Sequence, residues 1–193
     1  YGGDLAETAR QCELGLELTR RLGSLRFEVE ILAYLGRIVW KDGRHEEATQ
    51  LFDQGLKLSR ETGMHYAGAE VLASIARFTD DPERRRRALA EGRDLLATGA
   101  CVSHGHLHYY QFAIEIMLEE QNWDEAIAFA DQLAAYTEAE SLPWAEFFIE
   151  RCHALAVWGR GDHSAEISDE IKRIQEVAAE AGITMTYPAL SAR

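Results

Sequence analysis

The stretch Leu32-Ala33-Tyr34-Leu35-Gly36-Arg37-Ile38-Val39, the turn that follows it through Glu47, and Ala48-Thr49-Gln50-Leu51-Phe52-Asp53-Gln54-Gly55 together decide the fold. Leu32, Leu35, Gly36 and Val39 lie before the turn and Ala48, Phe52 and Gly55 after it, at helical spacings on both sides. This pattern predicts two helices joined by a turn, with Gly36 where they press closest. One such hairpin cannot bury its own apolar face, so its presence predicts others beside it.

Those others are found by stepping along the chain. Forty residues beyond Ala48 stands Ala88, and 38 further stands Ala126. Leu72, Ile75 and Ala76 lie upstream of Ala88, with Gly92 and Leu95 downstream; Tyr110, Ala113, Ile114 and Met117 lie upstream of Ala126, with Ala130 and Leu133 downstream. The turn Lys41-Asp42-Gly43-Arg44-His45-Glu46-Glu47 parallels Glu120-Gln121-Asn122-Trp123-Asp124-Glu125. A weaker fourth copy turns at Gly159-Arg160-Gly161-Asp162-His163. Stepping back from Gly55 reaches Gly15, within a segment read as the second helix of a further unit.

The residues resemble the tetratricopeptide repeat family, whose consensus runs W-x2-L-G-x2-Y and then A-x3-F. Leu32 stands at the Trp position, Val39 at the Tyr position, and Tyr110 at the large-aromatic position of the third unit. The repeat is about 38–42 residues instead of about 34, so each helix is about one turn longer. Arg60 stands where the terminal Pro of the consensus would be. The resemblance implies an all-α, right-handed superhelix (α-solenoid) of about four units. The units are a half unit at 4–22, then 24–62, 64–98, 103–140 and 142–181, forming one domain over 1–182 with a tail at 183–193.

Composition agrees. The chain has 193 residues, 47% of them hydrophobic, and only 3 prolines, as long helices require. Helices are expected at 4–22, 24–41, 44–62, 64–79, 82–97, 104–120, 123–139, 143–158 and 164–181. Pro82 and Pro143 sit near helix starts, and Gly23, Gly63, Gly99 and Gly182 mark helix ends. No long period-two alternation proposes a sheet, and no apolar run is long enough to span a bilayer. Cys12, Cys101 and Cys152 are scattered, without metal-ligand spacing, which points to buried free thiols in a reducing, cytoplasmic compartment. The half unit and the first residue, Tyr1, lead us to expect a piece of a longer protein.

The net charge of −13 is unevenly placed: residues 1–99 carry 17 acidic and 15 basic side chains, residues 100–193 carry 16 and 5. Such a C-terminal half repels a phosphate backbone, so nucleic acid is not the expected partner. A basic peptide or basic partner domain is the kind of ligand it attracts. Against this balance runs Arg84-Arg85-Arg86-Arg87, a full helical turn. Its spacing from Ala88 and Gly92 directs Arg85 toward an inter-helix groove, as an anion or acidic-peptide contact, with the other three in local salt bridges.

Two patterns could carry chemistry. His104, His106 and His108 form an H-x-H-x-H string after Ser103, read as a cap. His104 and His108 share one helix face, as two metal ligands would. Glu150 and His153 form a single E-x-x-H pair, where a di-iron bundle needs two. No P-loop, H-E-x-x-H or G-x-S-x-G is present. The chain is therefore read as non-catalytic, with no cofactor. Aromatic residues mark the expected recognition groove instead. His106, Tyr109, Trp144 and Phe148 lie on first helices, which line the concave surface of stacked hairpins, while Tyr110 is expected in the core. Trp123 is expected to clamp the turn of its own hairpin.

The segments Gly99–Tyr110, Asn122–Ala126 and Leu142–Arg151 resemble the C-terminal helical repeats of large proteobacterial signalling proteins. These are adenylate or guanylate cyclases joined to an AAA-type ATPase module, and maltose-regulator-like activators. The resemblance implies a regulatory domain that senses a ligand or docks a partner, with enzymatic work done elsewhere. No catalytic residue of those modules has a matching position here. Two other readings are a homo-oligomerisation scaffold and a metal-dependent sensor or enzyme using His104 and His108.

Overall fold

Capping chemistry sets where the helices begin in the computed structural model, which describes residues 4–183. Asp4 opens α1 (Leu5–Leu22) by accepting the backbone N–H of Ala6 at 2.9 Å. Asp81 opens α5 (Pro82–Ala97) through Glu83 N–H at 2.8 Å, with Pro82 in the first turn, where its missing N–H costs nothing. Asn122 caps α7 (Trp123–Thr137), Pro143 begins α8 (Pro143–Gly159), and Ser164 caps α9 (Ala165–Glu180). The others are α2 (Leu25–Lys41), α3 (His45–Thr62), α4 (Gly68–Arg77) and α6 (Ser103–Glu119). Gly23, Gly63, Gly99 and Gly182 all have positive φ, so an L side chain would strain each of these helix ends.

The fold is all-α and repeat-like, with no strand among the described residues. Helix bounds fall within one or two residues of expectation except at the start of α4, and the start of α6 removes an expected cap. Residues 64–67 form a turn, and α4 starts only at Gly68, against which the Met64 side chain packs. Ser103 is the first residue of α6 and not a residue preceding it.

Two compact units divide the chain, one reaching Phe112 and the other starting at Ala113. In the N-terminal unit, successive helices from α1 to α5 pack on one another, and α2 also reaches α4. Leu32, Val39, Ala48 and Phe52 are buried together. A Cβ at Gly36 would lie 2.5 Å from Cε1 of Phe52, so glycine is what lets α2 and α3 close. Gly55 has ordinary room, with nothing nearer than 3.6 Å to such a Cβ. Ala88 and Gly92 are buried on α5, and the Tyr109 ring lies directly over Gly92. In the C-terminal unit Ala113, Ile114, Ala126, Ala130 and Leu133 are buried, and Cys152 and Leu155 join Ile171 and Ile174 in the core. Trp123 packs on Gly159 and so locks α7 to the end of α8, not the turn of its own hairpin.

Each unit contains one buried ion pair between alternate helices. In the N-terminal unit Arg37 of α2 reaches Glu70 of α4, N···O 2.6 Å. In the C-terminal unit Arg151 of α8 reaches Glu115 of α6, N···O 2.5 Å. Such pairs fix register between helices, because either charge alone would be left desolvated.

Candidate recognition face on helices α2, α4 and α6

Side chains one helical turn apart on three elements meet in a single polar and aromatic layer of the N-terminal unit. Helix α2 supplies Glu30, Tyr34 and Arg37, spaced by four and three residues. The turn before α4 supplies Tyr66, and α4 supplies Glu70 and Ser74. Helix α6 supplies His104, His108 and Phe112. Helix α4 can carry Glu70 at this depth because all residues from Gly68 to Ala76 are buried and mostly small or apolar, so neighbours approach closely.

Arg37 organises the layer. Its guanidinium donates to Glu70 Oε1 at 2.6 Å and to Ser74 Oγ at 2.9 Å. It also lies over the rings of Tyr34 and Phe112, 4.7 and 4.9 Å from their centroids. His108 Nε2 approaches the same Glu70 oxygen at 3.8 Å. Glu70 is fully buried, and its Oε2 has no hydrogen-bond partner. His104 stands edge-on to Tyr66 with centroids 5.2 Å apart.

Electrostatics leave this layer short of positive charge near Glu30. Burial raises the Glu30 carboxyl above its ordinary range, and the Glu70 charge raises it further; His104 and Arg37 oppose the shift. Burial likewise raises the Tyr66 hydroxyl, with Glu30 adding to it. Burial pushes the His108 imidazole below its ordinary value, against the pull of Glu70. Glu30 and Tyr34 remain half-buried and reachable from solvent.

The residues singled out from sequence lie elsewhere. Tyr109 was expected in the groove and Tyr110 in the core, and the structure reverses them. Tyr109 is buried and its hydroxyl donates to the Leu89 carbonyl at 2.6 Å, whereas Tyr110 is only half-buried. His106 is also buried, on a different face of α6 from His104 and His108. Arg85 is turned onto the end of α4, donating to the carbonyls of Ala76 and Thr79 at 3.1 and 2.9 Å. It completes a helix terminus and does not offer its charge to an anion. Arg86 forms the expected local pair with Glu83, whereas Arg84 reaches across to Asp53 on α3. In the C-terminal unit Trp144 and Phe148 touch, centroids 4.7 Å apart, but Phe148 is buried and only Trp144 keeps surface.

The metal reading finds no support in the geometry. His104 and His108 are engaged with Tyr66 and Glu70, and no group of three His, Cys, Asp or Glu among the described residues is arranged to hold an ion. Glu150 pairs with Arg173 at 2.7 Å, and His153 faces Asp131 at 3.4 Å, so the E-x-x-H pair is split between two surface contacts. The three cysteines are free thiols, and burial drives Cys152 up to about 12, where little reactive thiolate forms.

Glu30, Tyr34, Arg37, Tyr66 and Glu70 escaped the sequence reading. The available signal was Glu70, a lone acid inside the apolar run Ala67–Ala76. No helix among the described residues is long and apolar enough to cross a membrane. The chain significantly matches no family model, no curated protein and no solved structure.

Proposed function

We propose that this chain is a non-catalytic recognition domain of a larger cytoplasmic signalling protein, built as a right-handed superhelix of tetratricopeptide-like units. Its first helices α2, α4 and α6 present the ligand-facing surface. The observation that carries the reading is the layer of Glu30, Tyr34, Arg37, Tyr66, His104 and His108 assembled around the buried Glu70.

The ligand that fits is a basic peptide segment. A cation placed against Glu30 relieves the field that holds its carboxyl up, beside Tyr34 and Tyr66, whose rings already hold the guanidinium groups of Arg37 and Arg26. Regulation then follows from population shift: a ligand that bridges α2, α4 and α6 favours one arrangement of the hairpins over others. Anisotropy titrations of labelled Arg- and Lys-rich peptides against acidic peptides of equal length test this. Binding of the basic peptides, weakened about tenfold by Glu30→Gln and by Tyr34→Ala, is the expected result. Equal binding of acidic peptides, or affinity indifferent to both substitutions, removes the reading.

A further inference from the structure

Arg26 is a cation that the outer end of the recognition layer already holds. Its guanidinium lies 5.3 Å from the ring centroids of both Phe27 and Tyr66. The two rings meet edge to face with centroids 5.8 Å apart, and His104 stands against Tyr66 as well. Phe27 is 42% exposed and Arg26 is exposed, so this corner opens to solvent.

Two features make Arg26 easy to displace. It sits in the first turn of α2, where the helix dipole opposes a cation. It also stands one turn before Glu30, the spacing at which opposite charges pair on a helix, yet neither residue forms an ion pair among the described residues. Glu30 acts on the Tyr66 hydroxyl together with Arg26, so its carboxylate lies beside the same ring. Arg26 covers the rings and leaves that carboxylate without a partner. A guanidinium not tethered to α2 can do both, lying flat over the ring pair with its N–H donors turned to Glu30. A lysine ammonium has no flat face to stack.

We propose that Phe27, Tyr66 and Glu30 form a subsite for an arginine side chain, that Arg26 fills it from within the free chain, and that an arginine of the bound partner displaces Arg26. This subsite rests on the basic-peptide ligand proposed above. It sets that ligand's preference, arginine over lysine, and places a competitor for it within α2.

Anisotropy titrations of labelled Arg-Gly and Lys-Gly repeat peptides of equal length test the subsite. They compare the wild-type chain with Arg26→Ala and with Arg26→Ala combined with Phe27→Ala. An exposed cation–ring contact is weak, so loss of the internal competitor should tighten the arginine peptide about fivefold and the lysine peptide less. Removing Phe27 as well should cancel that gain, which a change of net charge alone would keep. By NMR, the Arg26 side-chain protons of the wild-type chain should be shifted upfield by the rings and return to ordinary positions as the arginine peptide is added. If that peptide binds but Arg26→Ala leaves its affinity unchanged, or the Arg26 resonances do not move, the subsite is overturned and the basic-peptide reading stands. A gain that survives Phe27→Ala assigns Arg26 to long-range repulsion and overturns the subsite too. Binding of neither peptide, to the wild type or to Arg26→Ala, overturns both.

Discussion

Arg37 and Glu70 are 33 residues apart and are joined by a charge-assisted hydrogen bond of 2.6 Å with both side chains nearly or fully out of water. The pair holds α2 to α4 across the intervening α3, and it forms the floor of the recognition layer. Removing one member leaves the other buried without compensation, which costs more than the pair contributes relative to apolar replacements. Glu70→Ala is therefore expected to lower unfolding stability by about 3–5 kcal/mol. Arg37→Met combined with Glu70→Leu is expected to recover most of that loss. Urea denaturation of the three variants decides the point; additive losses in the double variant would contradict it.

Gly36 faces the closed ring of Phe52. Alanine there gains about 1 kcal/mol in helix propensity but must displace a fully buried ring, at about 1–3 kcal/mol. Sterics win, and Gly36→Ala is expected to lower the melting temperature. Gly55→Ala has room and should be neutral or stabilising. Parallel thermal melts distinguish the two sites.

Alkaline stability is set by Tyr109 and Cys152. Burial raises both to about 12, from ordinary values of 10.0 and 9.0. The unfolded chain loses these protons first, so the stabilisation is complete below about pH 9 and is lost as pH rises toward 12. Tyr109→Phe is expected to flatten the decline above pH 10. It should also cost about 0.5–1.5 kcal/mol at neutral pH through loss of the hydrogen bond to the Leu89 carbonyl. Melting temperatures between neutral and strongly alkaline pH provide the measurement.

On the acid side two effects oppose each other. Burial depresses His106 and His108 below 6.5, so the unfolded chain binds more protons and stability falls as pH drops through that value. Glu30 is raised above 4.5, so its contribution grows as pH falls through its own folded value. Just below 6.5 the histidines dominate, with His108 facing Glu70, Arg37 and His104. His108→Gln is expected to reduce the slope of stability against pH there, whatever it does to the absolute value. An unchanged slope would show that His108 is not a source of the acid sensitivity.

Local order was legible before any coordinates. The steps from Ala48 to Ala88 and Ala126, the prolines at 82 and 143 near helix starts, and the glycines at 23, 63, 99 and 182 are instructions that a chain carries within one or two helical turns. They established the helices, their ends and the small residues at which they close. Tertiary packing alone decided which residues of each helix face which neighbour. Tyr109 and Tyr110 differ by one residue, about 100° around the helix, so a modest rotation of α6 exchanges core for surface. Helical periodicity is satisfied either way; only the hole over Gly92 and the Leu89 carbonyl choose Tyr109. The recognition layer is likewise a meeting of Glu30, Glu70 and His104 from three separate elements. Their charges acquire meaning only when burial brings them within reach of one another.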